Sequence, residues 1–143
     1  MEQSAFDYSD APDILKRFLI YLEAIKGKSP KTVQEYYFDL RTFFRYLKSS
    51  RGLVPPETPF EKISISDIDL DLLKTVNLTE VYEYFHYLQT VRHNHAAARS
   101  RKVSSLHTFF EYLTNKTNQL KINPVQELET PKTPKRLPKY LSL

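Results

Sequence analysis

Cysteine is absent from these 143 residues, so disulfides, thiolate metal sites and thiol nucleophiles are excluded. Tryptophan is also missing, and only two glycines occur, Gly27 and Gly52. So little glycine is poor material for a sandwich or barrel, whose many tight turns need it. No apolar run approaches the ~20 residues of a membrane span. The opening residues 1–13 are acidic and interrupted by Pro12, unlike a basic, then apolar, secretory leader. A cytoplasmic protein without a membrane partner is expected. Phosphate-binding glycine loops, HExxH and GxSxG are all absent, so no enzyme site is readable by motif and no cofactor is expected.

Hydrophobic residues make up 41% of the chain, enough for a core, and ten Tyr and nine Phe supply bulk. Their spacing is helical. Ile14, Leu15, Phe18, Leu19, Leu22 and Ile25 predict a first helix over residues 12–25, with Asp10 as N-cap and Gly27 at its end. Ser29 and Pro30 form a helix start, and Val33, Tyr36, Tyr37, Leu40, Phe43, Phe44 and Leu47 follow on one face. Three prolines make residues 54–60 a loop. Ile63, Ile65 and Ile68 then predict a short extended piece, followed by a short helix around residues 69–73.

Asn77-Leu78-Thr79-Glu80 resembles a capping box and opens a third main helix, to about Val91, with Val81, Tyr84, Phe85 and Leu88 inward. A fourth main helix is expected over residues 96–115, with Val103, Leu106, Phe109, Phe110 and Leu113 buried. A short fifth should start at Asn123-Pro124 and run to about Leu128. The fold class is therefore all-α, a compact bundle of four main helices plus short ones. Residues 1–130 form one domain. Residues 131–143, marked by Pro131, Pro134 and Pro138, read as a basic linker towards a further domain.

The net charge of +4 is modest, but its distribution is uneven. Lys31, Gln34, Phe38, Arg41, Arg45 and Lys48 fall within about 100° of one another on the second helix, opposite its apolar stripe. Cations there suit phosphates, and Phe38 suits a base edge, a sugar or a partner protein. On the fourth main helix Arg101, Ser104, Ser105 and Thr108 align opposite Leu106 and Phe110, and Arg99, Arg101 and Lys102 form a basic cluster. Small hydroxyl side chains let a helix approach a groove closely, and Arg101 can reach a phosphate or a guanine. The alternative to both patterns is an ordinary solvated face, on the second helix with one stray Phe, and for that helix taken alone it is the better-weighted reading. His93 and His95 lack the further convergent ligands that a metal site needs, so no metal is expected. A tyrosine nucleophile needs activating cations and a base around it, and no tyrosine here has such a setting.

Two blocks, taken in order and spacing, resemble the core-binding domain of Xer-type tyrosine recombinases and phage-type integrases. One runs from Phe18-Leu19-Ile20-Tyr21-Leu22 through Lys28-Ser29-Pro30-Lys31-Thr32 and Tyr36 to Asp39-Leu40-Arg41-Thr42-Phe43 and Tyr46-Leu47. The other runs from Arg101-Lys102-Val103-Ser104-Ser105 through Leu106-His107-Thr108-Phe109-Phe110 to Leu113, followed by Ile122-Asn123-Pro124. The resemblance implies a SAM-like bundle forming half of a clamp on double-stranded DNA, at a recombination half-site, with its second and fourth main helices facing the duplex. It implies as partners the protein's own C-terminal catalytic domain, beyond Leu143, and other recombinase protomers. By that resemblance Lys28, Ser29 and Thr32 start the DNA-facing helix, Arg41 is its recurrent arginine, and Arg101, Lys102 and Ser105 belong to a basic-serine stretch. His107 stands where such domains often carry Arg, Ala98 where Thr or Ser is frequent, and Tyr37-Phe38 where the stretch is often basic. A stand-alone helix-turn-helix regulator and a protein-binding adaptor using Phe38 are the alternatives. Neither needs a basic linker.

Overall fold

The computed structural model describes residues 6–132. Four main helices, α1 (Asp13–Ala24), α2 (Pro30–Ser50), α4 (Leu78–Thr90) and α5 (Ala96–Glu111), pack around one core. A one-turn α3 (Leu70–Leu73) and a 3₁₀ turn (Phe60–Lys62) lie in the long α2–α4 connection. No strand occurs among the described residues. The third and fourth main helices of the sequence reading are α4 and α5.

The apolar stripes face inward as their period requires. Phe18 of α1, Phe43 and Phe44 of α2, Tyr84 of α4 and Phe109 and Phe110 of α5 are fully buried. They meet mostly edge to face: Phe18–Phe109 at 5.1 Å, Phe43–Tyr84 at 5.0 Å and Phe44–Phe109 at 5.8 Å between ring centroids. That geometry places positive ring edges on negative ring faces. The helices are thus joined by aromatic contacts, each buried ring contributing about 1.5–3 kcal/mol by area.

Helix ends follow one device. Gly27 and Gly52 have φ of +65° and +69°, the left-handed conformation that a side chain disfavours. Gly27 lets the Lys28 N–H reach the Leu22 carbonyl at 2.9 Å and closes α1. His93 (φ 56°) and Asn118 (φ 55°) do the same work without glycine. The Asn94 N–H meets the Leu88 carbonyl at 2.8 Å, and the Gln119 N–H meets that of Leu113 at 2.7 Å. His93 is therefore a helix-terminating residue, and no group of metal-ligating side chains assembles among the described residues.

Four local expectations are corrected. Pro12, not Asp10, precedes α1; the Asp10 carboxylate accepts instead from the Ser64 hydroxyl and the Ile65 N–H, fastening the N-terminal segment to the distant loop. Asn77 does cap α4 by accepting the Glu80 N–H at 2.9 Å, but Glu80 does not complete a reciprocal box. Both its oxygens take the Arg51 guanidinium, at 2.6 and 2.8 Å. The α5 helix ends at Glu111 and widens into a π-helical turn, Tyr112–Lys116, where the Thr117 N–H reaches back five residues to Tyr112. Finally, residues 124–127 form turns, not a fifth helix. The Asn123 side chain accepts the Val125 N–H, as at a helix start. The Leu128 carbonyl, however, is taken by His107, and Pro131 blocks continuation.

Candidate nucleic-acid interface

The predicted basic stripe of α2 divides in two. Lys28 and Lys31 are exposed at its N-terminal end. Ser29 caps the helix, accepting the Thr32 N–H at 3.2 Å and donating its hydroxyl to Thr32 Oγ1 at 3.1 Å. Gln34 is half-buried. The C-terminal half is covered. Lys48 is buried and donates to the Ser64 carbonyl at 2.8 Å and to Asp67 at 2.7 Å. Arg45 donates through Nε to the Ile63 carbonyl at 3.0 Å. Burial, with the neighbouring Arg41 charge, lowers the Arg45 pKa.

The covering layer is residues 63–68, whose Ile63, Ile65 and Ile68 are buried against the bundle. Once those isoleucines lie on α2, the backbone carbonyls of Ile63 and Ser64 lose water, and Arg45 and Lys48 of α2 satisfy them. Lys48 and Arg45 thus act as anchors for the connection, contrary to the reading of one solvated basic face.

The middle of α2 is half covered. Phe6 packs edge-on against Phe38 at 5.4 Å and Tyr37 at 5.8 Å, and Tyr8 meets Tyr37 at 5.1 Å. Phe38 remains 37% exposed. The Arg41 guanidinium sits over the Phe38 ring at 4.9 Å and the Tyr37 ring at 5.4 Å. Its Nε has no hydrogen-bond partner among the described residues. One acidic group shares the solvated crest with Lys31 and Phe38, the exposed Glu35.

On α5, Arg101, Lys102 and Ser105 converge on one buried carboxylate, that of Asp39 on α2. Asp39 is 3% exposed. Arg101 grips it twice, Nη2 to Oδ1 at 2.7 Å and Nε to Oδ2 at 3.2 Å. The Ser105 hydroxyl donates to Oδ2 at 2.7 Å, and Lys102 Nζ lies 3.4 Å from Oδ1. Ser105 is therefore an interior residue, 4% exposed, and not part of an outward small-residue face. The bidentate bond to Asp39 raises the Arg101 pKa, helped by the negative charge of Glu35 on α2. Burial pushes the Lys102 ammonium below its ordinary value, against the smaller opposite pull of Asp39. The side chain of Arg101 is still 52% exposed.

Of the other sequence candidates, Arg99 donates to the Asn94 carbonyl at 2.8 Å and braces the start of α5. Thr108 donates back to the Ser104 carbonyl at 2.9 Å. His107 Nε2 lies 2.8 Å from the Leu128 carbonyl, and since a carbonyl only accepts, that nitrogen carries the proton. His107 thereby ties the outgoing chain to α5.

The described surface is thus two neighbouring helices, α2 and α5, joined by one carboxylate, with Lys28 and Lys31 exposed at the start of α2 and Arg101 half exposed on α5. Residues 15–59 match the family described as phage integrase, N-terminal SAM-like domain. Over that stretch, about a third of its length, the chain is similar to such a domain.

The chain is similar, over most of its length, to proteins named as tyrosine recombinases. It is 46% identical to tyrosine recombinase XerC of Caldanaerobacter subterraneus subsp. tengcongensis over 92% of this chain and 37% of that protein. It is 33% identical to XerC of Myxococcus xanthus, over 90% of this chain and 36% of the relative. With XerD of Listeria monocytogenes serotype 4b it shares 31% identity over 92% and 38% of the respective chains. The chain thus spans little more than a third of these relatives. No solved structure matches it.

Sequence reasoning found the two helices but missed Asp39 as the residue that joins them. The one available signal was its position: Asp39 sits at the edge of an apolar stripe, beside Leu40, where an unpaired carboxylate is not tolerated. The proposed linker beyond Lys132, with Lys135, Arg136 and Lys139, lies outside the described residues.

Proposed function

We propose that this chain binds double-stranded DNA, chiefly through backbone phosphates, as the N-terminal DNA-binding part of a tyrosine site-specific recombinase. The observation that carries the reading is the pairing of α2 and α5, with Lys28 exposed just before α2, Lys31 exposed in its first turn and Arg101 half exposed on α5. Similarity to the named tyrosine recombinases over about nine-tenths of the chain supports it. Lys28, Lys31 and Arg101 are the leading phosphate ligands. Ser29, Thr32, Gln34 and Phe38 border them, and Arg41, Arg99, Lys102 and Thr108 play supporting parts. Arg45, Ser105 and His107, whose polar groups are engaged within the domain, contribute by holding its shape.

In the same reading residues 1–130 are the binding domain and residues 131–143 lead to a catalytic domain. Strand cleavage belongs to the part of the relatives that this chain does not span. Other protomers on the same DNA are the further partners, and the cytoplasm is the compartment. A protein-binding adaptor is less well supported, because Phe38, its anchor, is already packed by Phe6.

The test is fluorescence anisotropy of a labelled duplex titrated with the chain between ~50 and ~200 mM salt. Each neutralised phosphate releases counterions, so log affinity should fall with log salt by about 0.9 per phosphate. Absence of binding at the lowest salt, or binding indifferent to salt, overturns the proposal.

A further inference from the structure

Resting on the DNA-binding reading, we infer that Asp39 is a positioning residue: it fixes the Arg101 guanidinium so that its free edge meets a backbone phosphate. Asp39 comes from α2 and Arg101 from α5, 62 residues apart, so their contact also sets the register of the two helices.

The geometry divides the guanidinium in two. Its Nε and one Nη2 hydrogen are held by the carboxylate. A guanidinium carries five N–H groups in a planar fork, so the Nη1 pair and the second Nη2 hydrogen are left. These have no partner among the described residues, and the side chain is half exposed. That remaining edge has the shape that grips two phosphate oxygens side by side. The Asp39 carboxylate is itself held by Ser105 at 2.7 Å and faced by Lys102 at 3.4 Å, so it is not free to swing. An arginine held in this way loses less freedom on meeting DNA than one waving in water.

This role makes a prediction opposite in sign to simple charge counting. Asp39 puts a negative charge beside a DNA-facing cation, as does Glu35 nearby. By Coulomb's law alone, removing the Asp39 charge should tighten DNA binding. If Asp39 positions Arg101, removing it should weaken binding, because the guanidinium loses its orientation.

The experiment uses the anisotropy assay on the native chain, Asp39→Asn, Arg101→Gln and the double variant. Asp39→Asn is expected to bind three- to tenfold more weakly although its net charge is one unit more positive. Arg101→Gln should lose at least as much and lower the salt slope by about one. The double variant should be no weaker than Arg101→Gln, since Asp39 then has nothing to position. Arg101→Lys supplies a measurement that does not require Asp39→Asn to fold. It keeps the charge, but an ammonium cannot hold the carboxylate with two bonds and offer a second planar edge. It should therefore bind nearly as weakly as Arg101→Gln.

Asp39→Asn binding as tightly as the native chain or tighter, or Arg101→Lys binding like the native chain, overturns the inference while leaving DNA binding intact. Equal losses from Asp39→Asn in the native and Arg101→Gln backgrounds also overturn it, since the effect is then a general loss of structure. Failure of the native chain to bind overturns the functional reading itself, and this inference with it.

Discussion

Replacing Arg101 with Ala should destabilise the fold, although a sequence reading treats it as a surface cation. Two charge-assisted hydrogen bonds to a buried carboxylate are lost. Removing one partner of a fully buried ion pair costs about 3–5 kcal/mol. Here the cost is smaller for two reasons. Arg101 is 52% exposed, so its own desolvation is partial and water can enter behind it. Ser105 and Lys102 also remain beside the Asp39 oxygens. A loss of about 1–2 kcal/mol follows, one partly exposed charge-assisted bond or slightly more. With an unfolding entropy of ~2.1 cal/mol/K per residue over roughly 130 residues, that is a fall in Tm of about 4–7 °C. Thermal unfolding followed by circular dichroism measures it, with exposed Ser104→Ala as the control that should not move. Ser105→Ala, which costs the carboxylate one neutral donor in the interior, should lose about 1 kcal/mol. If Arg101→Ala and Ser105→Ala both melt within ~1 °C of the native chain, the Asp39 cluster is not a structural joint and the assignment fails.

Phe43→Ala should cost about 3–5 kcal/mol, because the ring is fully buried between Phe44, Tyr84 and Phe110 and its removal leaves a cavity among rigid aromatics. Urea unfolding measures this, and a loss below ~1 kcal/mol would mean that the core collapses around the gap. The third expectation concerns acid. The Lys48 ammonium holds the Asp67 carboxyl below its ordinary pKa. That stabilisation is fully present above the ordinary carboxylate pKa and disappears as pH falls through the lowered folded value. Asp67 is 70% exposed, so the effect is under ~1 kcal/mol. Urea midpoints taken from about pH 6 down to about pH 3 should fall less steeply for Asp67→Asn than for the native chain, and parallel acid limbs would contradict the pairing.

The stretches that could be read from the sequence are those whose physics is local. Ser29-Pro30 starts α2 and Asn77 starts α4, each by a side chain accepting a backbone N–H three residues on. Phe43 and Phe44 of α2 and Phe109 and Phe110 of α5 point inward because helical period alone puts them on one side. Local signals also misled where a competing partner lay far away. Asp10 looks like a cap but is taken by Ser64 and Ile65, and Glu80 looks like half of a box but is taken by Arg51. Asn123-Pro124 looks like a helix start, but the carbonyl five residues on belongs to His107.

The sequence by itself determined the four main helices, their buried faces and the caps of α2 and α4, since these depend on residues within a turn or two of one another. It left undecided what becomes of polar side chains at the margins of those faces. Arg45 and Lys48 share the spacing of Lys31, yet they are inside because residues 63–68 fold over them. Asp39 and Ser105 look like ordinary helix-surface residues in a linear reading, yet they meet because α5 packs beside α2. A margin residue is solvated or buried according to which other element comes to lie against it. Only the tertiary packing made that choice, and with it decided which cations still face outward.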